Sequence, residues 1–127
     1  MKNNSFTVAV LGAGNIGSAV IERLLNVDNG VINLNLSKVL VSDLSKDRNL
    51  DSGLLTIDFN EILNDETIDL VIEVLGGVDP GKGYIKALLE NGKSVITANK
   101  DIIADCGSEL IQTCLLYTSD AADDRMR

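Results

Sequence analysis

Continuous apolar runs alternate along this chain with segments in which apolar residues recur every three or four positions. The runs have the character of strands buried on both faces, and the periodic segments have the character of amphipathic helices. Strands are predicted at residues 6–11, 38–42, 54–59, 69–75 and 93–96, and helices at residues 18–26, 60–64, 79–90 and from 101 onward. Because strand and helix alternate, the pattern predicts a single α/β domain around a doubly wound parallel sheet.

Turn-forming residues between these elements predict where some of them begin and end. Asp79 is expected to cap the third helix, with Pro80 as its first helical residue. Asn91 and Gly92 are expected to close the same helix in a left-handed turn. The segment 27–36 contains a turn-forming Asn-Gly pair and is predicted to be a loop.

Composition narrows the function classes. The net charge of −8 argues against binding to nucleic acid or to an anionic membrane, since both need basic patches. Histidine is absent, which excludes a Ser-His or Cys-His hydrolase and a His-ligated metal site. Cys106 and Cys114 lack metal-ligand spacing, so no metal is expected. No apolar run is as long as a membrane span and no signal peptide is recognisable, so the expected compartment is the cytoplasm.

The C-terminal tail, residues 114–127, does not continue the pattern of the preceding segment. It begins apolar, loses the helical period and ends in charged and small residues. Its first ten residues can be spelled by the codons TGT CTC TTA TAC ACA TCT GAC GCT GCC GAC, a DNA sequence that resembles the transposase adapter used in short-read sequencing. We therefore expect residues 1–113 to be the front of a longer protein, and the tail to be a non-native addition; the alternative is a natural helix end with a disordered tail.

A glycine motif follows the first predicted strand. Residues 12–17, GAGNIG, match the pattern G-x-G-x-x-G between a buried strand and an amphipathic helix. In a dinucleotide-binding turn, Gly12 permits the sharp turn, Gly14 leaves room for the diphosphate and Gly17 lets helix and strand pack closely. The diphosphate then lies at the N-terminus of the helix, where free N–H groups favour anions. The structural alternative is a glycine-rich turn without a ligand.

The end of the second strand carries a candidate cofactor contact. Asp43 lies where a dinucleotide-binding fold places the carboxylate that accepts a hydrogen bond from the adenosine ribose. Lys46 and Arg48 lie just beyond it and could instead bind a 2′-phosphate, or all three could be solvated loop charges. The choice between NAD and NADP therefore stays open.

Unusual residues also follow two later strands, where ligands of an open parallel sheet bind. Gly76 and Gly77 end one strand, and the run Thr97-Ala98-Asn99-Lys100 ends the next. Glu73 lies inside the apolar run LVIEVL, where an unpaired charge is costly. It is therefore expected to face a polar edge, a lysine or a ligand.

At these residues the chain resembles the homoserine dehydrogenases. The resemblance is carried by EVLGGVDPGKGYIKALLENGKSVITANKDIIADCGSEL, together with LGAGNIGSAV and KVLVSDLSK, and covers residues 6–113. Many members have a basic residue in place of Ser42, which weakens an inference of NADP preference. Gly81 and Gly83 replace better helix formers, so the first turn of their helix is expected to be loose.

The resemblance implies a Rossmann-type domain, incomplete here, from an enzyme that reversibly reduces aspartate 4-semialdehyde to homoserine with NAD or NADP. It implies that Asn15 and Ile16 contact the cofactor phosphates and ribose. It places Gly76, Gly77, Thr97 and Asn99 beside the nicotinamide. It also implies that Lys100 reaches the reaction centre, binds at the cofactor and acts as the catalytic residue.

The chemistry of hydride transfer suits a lysine at that position. Hydride that reaches an aldehyde carbon leaves negative charge on the oxygen, which an ammonium group stabilises and can protonate. The alternative is that Lys100 is a solvated residue at a helix start. A cation there opposes the helix dipole, which favours a functional role.

The family's substrate domain, second catalytic lysine and dimer interface would follow this segment. The fragment is therefore expected to be inactive alone and poorly soluble at its unfinished sheet edge, and its parent is expected to be a homo-oligomer acting on a small molecule. Two alternatives stay open, a non-catalytic dinucleotide-sensing module and another amino-acid or semialdehyde dehydrogenase.

Overall fold

A computed structural model of the chain describes residues 5–26, 33–44, 50–97, 99–102 and 104. The strands are β1 (Ser5–Leu11), β2 (Asn33–Leu40), β3 (Leu55–Thr56), β4 (Leu70–Glu73) and β5 (Ser94–Thr97). The helices are α1 (Asn15–Asn26), α2 (Asn60–Leu63) and α3 (Gly81–Glu90), and a single 3₁₀ turn (Ser52–Leu54) precedes β3.

The five strands form one parallel sheet in the order β3-β2-β1-β4-β5, which confirms the predicted fold. The central strand β1 shows why its sequence is continuously apolar. Val8 and Val10 pack with α1 on one face of the sheet, whereas Ala9 and Leu11 pack with α2 and α3 on the other. Successive side chains of a strand point to opposite faces, so a strand covered on both sides needs apolar residues throughout.

The second strand begins earlier than predicted. Residues 33–36 were expected to lie in a loop but pair with Ser5–Val8 of β1. Their sequence, NLNL, alternates with the period of a strand, and Leu34 and Leu36 pack against the core on the α1 side. The register shifts beside Ser37, where one extra residue enters β2. The loop prediction was therefore wrong for residues 33–36, because the Asn-Gly pair suggested a turn where the alternation favours a strand.

The third strand is shorter than predicted. Only Leu55 and Thr56 pair with β2, and the exposed Ile57 lies beyond the pairing. Asp58 then accepts a hydrogen bond from the backbone N–H of Asn60 at 2.9 Å, which starts the turn into α2. The apolar run predicted a strand of six residues because Ile57 reads as a core residue in the sequence.

Helix α3 ends as predicted but does not begin as predicted. Gly92 has a φ of +82°, and the backbone N–H groups of Gly92 and Lys93 bond to the last turn. At the other end the N-cap is Pro80, without a side-chain hydrogen bond, rather than Asp79. The N–H of Lys82 is satisfied by a backbone carbonyl at 2.8 Å, so the turn needs no carboxylate cap.

Some sequence-based expectations fall outside the described residues. They concern the pair Asn29–Gly30, Lys46, Arg48, Cys106, and the tail 114–127 with Cys114. Among the described helices, none has the length and apolar character required to span a membrane. At one edge of the sheet, β5 pairs with β4 and with no other described strand.

Candidate functional site

A cavity of about 480 Å³ lies beyond the carboxyl ends of β1, β2 and β4. Its wall includes Gly14 of the glycine motif, Ser42 after β2 and Gly76 after β4, with Ile57 and Tyr84 among its apolar residues. Because all strands are parallel, their carboxyl ends meet at this edge, where ligands of such sheets bind.

The glycine motif makes a tight turn into α1. Gly12 has a φ of +106°, a conformation that favours glycine, and its N–H donates to the carbonyl oxygen of Leu40 at 2.9 Å. A Cβ atom on Gly17 would lie 2.5 Å from the carbonyl oxygen of Gly12. The fold itself therefore requires glycine at both positions.

Gly14 is different, because the fold gives no reason for it. Apart from its chain neighbours, no atom of the described part of the chain lies within 4 Å of a Cβ atom placed there, and its backbone is not left-handed. The same holds for Gly76, and both residues line the cavity. Side chains at these two positions would project into space that the protein leaves open. This space suits a group that approaches the backbone closely, as a diphosphate does.

Helix α1 presents its positive end to this space. Its first hydrogen bond runs from the N–H of Ser18 to the carbonyl oxygen of Gly14 at 2.7 Å, so the helix starts at Asn15, directly beside the cavity. The free N–H groups of a first helical turn and the helix dipole both favour an anion. The side chains of Asn15 and Ile16 lie outside the described residues.

The predicted ribose contact lies on a short extension of β2. The strand ends at Leu40, three residues before Asp43, and Val41 still donates to the carbonyl oxygen of Thr56 at 2.8 Å. Ser42 lines the cavity, and Asp43 follows it with an exposed side chain. The structure thus places Asp43 next to the cavity wall.

Glu73 is fully buried at the carboxyl end of β4, in register with Thr97 at the end of β5. One carboxylate oxygen accepts from the Thr97 hydroxyl. The other accepts from the backbone N–H of Leu75 at 2.9 Å and from the side-chain amide of Asn99 at 3.2 Å. The expected partner was a polar edge, a lysine or a ligand, and the contacts found are these neutral donors.

Asn99 connects the two strand ends. Its side-chain oxygen accepts from the backbone N–H groups of Asp101 at 3.0 Å and Ile102 at 3.2 Å, which makes it the N-cap of a helical turn. Its side-chain nitrogen donates to the carbonyl oxygens of Leu75 at 2.9 Å and Gly77 at 2.6 Å. The side chain that was expected beside the nicotinamide is thus buried and bonded to the protein on both of its polar atoms.

Lys100 follows this cap as the first residue in helical conformation, and its side chain is exposed. It lies on the same edge of the sheet as the cavity, since Asn99 holds the carbonyl groups on either side of Gly76. A cation in a first helical turn opposes the dipole, so its position does not stabilise the helix.

Sequence reasoning missed the apolar part of the cavity. Ile57 is 59% exposed, although its sequence context predicts a buried strand residue. The ring of Tyr84 stacks on Phe59 with centroids 4.0 Å apart and an angle of 18° between the planes. The exposure of Ile57 follows from the shortness of β3, which depends on its pairing with β2. A local sequence pattern does not show that pairing, so the sequence carried no signal for this wall of the cavity.

A family model and the curated relatives name the same family. The family model described as "Homoserine dehydrogenase, NAD binding domain" matches residues 12–114. Homoserine dehydrogenase of Bacillus subtilis (strain 168) is 38% identical over 111 residues, which are 82% of this chain and 26% of that protein. The enzyme of Mycobacterium tuberculosis (strain H37Rv) is 40% identical over 110 residues, 83% of this chain and 25% of that protein. The chain thus spans about a quarter of the length of the curated relatives it matches.

Solved structures agree with the sequence comparison. A crystal structure of S. aureus homoserine dehydrogenase at pH 7.5 has a TM-score of 0.80 and 36% identity, covering 90% of this chain and 30% of that one. The homoserine dehydrogenase of Thiobacillus denitrificans also has a TM-score of 0.80, with 28% identity over 90% of this chain and 28% of that one. A hyperthermophilic archaeal homoserine dehydrogenase in complex with NADPH, 18% identical with a TM-score of 0.71, shares the fold over 90% of this chain and 42% of that one.

Proposed function

The chain belongs to the family of homoserine dehydrogenase NAD-binding domains, and from this premise we propose that it is the nucleotide-binding portion of a homoserine dehydrogenase. Membership confirms the expected class of cofactor, a nicotinamide dinucleotide. The reaction we assign to the whole enzyme is the reversible reduction of L-aspartate 4-semialdehyde to L-homoserine. The observation that carries the proposal is the open space in front of Gly14 and Gly76, beside the start of α1.

The cofactor's diphosphate fits this space by its charge and by its need for close backbone contact. We place it beside Gly14, with the first N–H groups of α1 as donors and with Asn15 and Ile16 as contacts to phosphate and ribose. Gly12 and Gly17 give the turn its shape, and Gly12 also lines the cavity, so both stay in the proposed cofactor-binding set.

The adenosine half is assigned to the side of the cavity formed after β2 and β3. Asp43 accepts a hydrogen bond from the ribose in this arrangement, as its place beyond β2 suggests. The apolar surface of Ile57 and Tyr84 offers a wall for a flat, largely apolar ring such as adenine. Both NAD and NADP are candidates.

The nicotinamide half is assigned to Gly76, Gly77 and the turn that contains Thr97 and Asn99. The bound cofactor supplies the hydride. Lys100, exposed on the same edge, stabilises the charge that develops on the carbonyl oxygen of the semialdehyde and delivers a proton to it. In the direction of oxidation, the same amine accepts the hydroxyl proton of homoserine.

Two alternatives were open from the sequence, a dinucleotide sensor and another dehydrogenase. The family model and the curated relatives favour homoserine dehydrogenase over both. A homo-oligomeric parent and a cytoplasmic location remain predictions.

Two measurements test the proposal. Titration of the 127-residue chain with NADH and with NADPH, followed by cofactor fluorescence, should show saturable binding without homoserine oxidation. A hybrid in which residues 1–113 replace the matching segment of the Bacillus subtilis relative should oxidise homoserine. Binding of neither cofactor by the chain, together with an inactive but folded hybrid, would refute the assignment.

A further inference from the structure

The buried carboxylate of Glu73 lies at the junction of the two turns to which the nicotinamide half is assigned. Both of its oxygens act as acceptors, one for the Thr97 hydroxyl and one for two N–H donors. It is 0% exposed, and a buried carboxylate is stable only when its oxygens are satisfied in this way.

The hydrogen bonds form a continuous path from one turn to the other. Glu73 accepts from the N–H of Leu75, which begins the turn before Gly77, and from the amide of Asn99. Asn99 donates in addition to the carbonyl oxygen of Gly77 at 2.6 Å, and its own N–H donates to the Thr97 hydroxyl at 3.0 Å. A shift of either turn therefore breaks bonds that hold the other.

Helix α3 packs tightly against this hydrogen-bond network. A Cβ atom on Gly81, the first residue of α3, would lie 3.3 Å from a carboxylate oxygen of Glu73 and 2.8 Å from the terminal carbon of Ile102. Ile102 is itself fully buried. Low exposure strengthens each hydrogen bond of the network and raises the cost of any bond that is lost.

We propose that Glu73 is the positioning residue of the nicotinamide subsite. Acting through Thr97 and Asn99, it fixes the turn at Gly77 and the helical turn that begins at Lys100 in one spatial relationship. The turn at Gly77, which borders the nicotinamide, and the amine of Lys100, which stabilises charge on the carbonyl oxygen, are then held in fixed relative positions. The functional consequence rests on the proposed function, whereas the mechanical coupling does not.

The variant Glu73→Gln tests this with little change of shape. A glutamine offers one oxygen acceptor where the carboxylate offers two, so one set of donors is left opposite an NH₂ group. Thr97→Val is the second variant, because it removes the hydroxyl from the same network and keeps the β-branched shape. Thr56→Val is the control, since Thr56 is also a threonine at the end of a strand, is buried, and bonds within its own turn.

Amide hydrogen exchange of the 127-residue chain measures the coupling without any cofactor. Exchange at the N–H groups of Asp101 and Ile102, which donate to the side-chain oxygen of Asn99, should become roughly tenfold faster in Glu73→Gln and in Thr97→Val. The amides of Val8 and Val10 should keep their rates, and Thr56→Val should leave Asp101 and Ile102 unchanged. If Glu73→Gln accelerates amide exchange at Leu75 alone, or at every amide equally, the two turns are not coupled and the proposal fails.

Ligand binding measures the functional consequence. The affinity for NADH should fall roughly tenfold in both network variants, whereas the affinity for ADP-ribose, which lacks nicotinamide, should stay within about twofold. If Glu73 had a merely structural role, the affinities for NADH and for ADP-ribose would fall together. That result would overturn the positioning role. If the unaltered chain binds neither ligand and the Bacillus hybrid is folded but inactive, the proposed function fails, while the exchange measurement still decides the coupling. If Glu73→Gln does not fold, Thr97→Val decides both measurements.

Discussion

The carbonyl oxygen of Gly12 lies 2.5 Å from the point where a Cβ atom would stand on Gly17. The carbonyl carbon of Gly12 is 2.9 Å from the same point, so the obstacle is backbone and cannot rotate away. At Gly14, three residues earlier in the chain, the equivalent point has open space around it among the residues that the structure describes. One sequence motif thus contains a glycine that the fold needs and a glycine that the ligand is expected to need.

We therefore predict that alanine mainly lowers stability at Gly17 and mainly weakens cofactor binding at Gly14. Gly17→Ala should lower the free energy of unfolding by about 1–3 kcal/mol, since the added carbon forces α1 away from β1. Gly14→Ala should cost less than about 1 kcal/mol, the scale of a changed helix N-cap, and should weaken NADH binding at least tenfold. Thermal unfolding of both variants measures the loss of stability, and titration with NADH measures the loss of affinity. Equal loss of stability in the two, or unchanged binding in Gly14→Ala, would contradict the division of tasks.

Lys100 is predicted to matter for the reaction and not for the fold. In the Bacillus hybrid, Lys100→Met should lower kcat by about 10²- to 10⁴-fold, the range for loss of a group that transfers a proton. Stability should stay the same or rise by about 0.3–1 kcal/mol, because a cation leaves the positive end of a helix.

Lys82 supplies the matched control for this experiment. It also lies in a first helical turn, as the second residue of α3, so Lys82→Met removes the same charge from an equivalent position. We expect at most a severalfold change of kcat in that variant. A loss of activity as large as in Lys100→Met would show that charge at this edge, rather than the specific amine, is what the reaction requires.

Two glycines of α3 provide a second matched pair. Gly83 is exposed and has open space at its Cβ position, so Gly83→Ala should stabilise the protein by about 0.5–1 kcal/mol through helix propensity. Gly81→Ala should destabilise it, because the new carbon meets the buried Ile102 at 2.8 Å and approaches Glu73. Chemical denaturation of both variants measures the change in the free energy of unfolding, which should be positive for Gly83→Ala and negative for Gly81→Ala. If both variants were stabilised, the Ile102 side chain could move to make room for the new carbon, and Glu73 would not be tightly packed at this position.

The same two positions show what a sequence can and cannot predict. The sequence predicted that Gly81 and Gly83 loosen the first turn of α3, because propensity is a property of each residue and its local segment. Gly81 is instead tightly packed, which depends on Ile102, a residue twenty-one positions away. The parallel sheet, the glycine turn and the end of α3 were predictable because each arises from a local pattern or a simple alternation. The partners of Glu73 were not, since they come from the neighbouring strand end.

The uncovered edge of the sheet leads to a prediction about solubility. Ile96 in β5 is 54% exposed, and no described strand pairs with β5 on its outer side. Exposed edge strands with apolar residues promote association. Ile96→Lys should therefore raise the concentration at which the isolated chain stays monomeric, measured by analytical ultracentrifugation. Leu25→Lys, which changes a similarly exposed leucine on α1, is the control and should have a smaller effect.

The turn that leads into β4 carries a carboxylate whose charge should contribute to stability. Asp65 accepts hydrogen bonds from the hydroxyl of Thr67 at 2.6 Å and from its backbone N–H at 2.9 Å. These two bonds, and then the charges of Lys38 and Lys93, hold the pKa of Asp65 below its ordinary value of 3.8. A depressed folded-state pKa means that ionised Asp65 stabilises the protein above the unfolded-state pKa, and that this stability is lost as the pH falls through the folded-state value.

The variant Asp65→Asn keeps an oxygen acceptor and removes only the charge. We expect its melting temperature to lie below that of the unaltered chain at neutral pH, and the difference to shrink as the pH falls from about 7 to about 3. Thr67→Ala removes the hydroxyl that lowers the pKa most, so in that background Asp65→Asn should show a weaker dependence on pH. If the difference between the unaltered chain and the Asp65→Asn variant grows toward acid pH, the carboxylate is not stabilised in its charged form and the turn is held by its hydrogen-bond geometry alone.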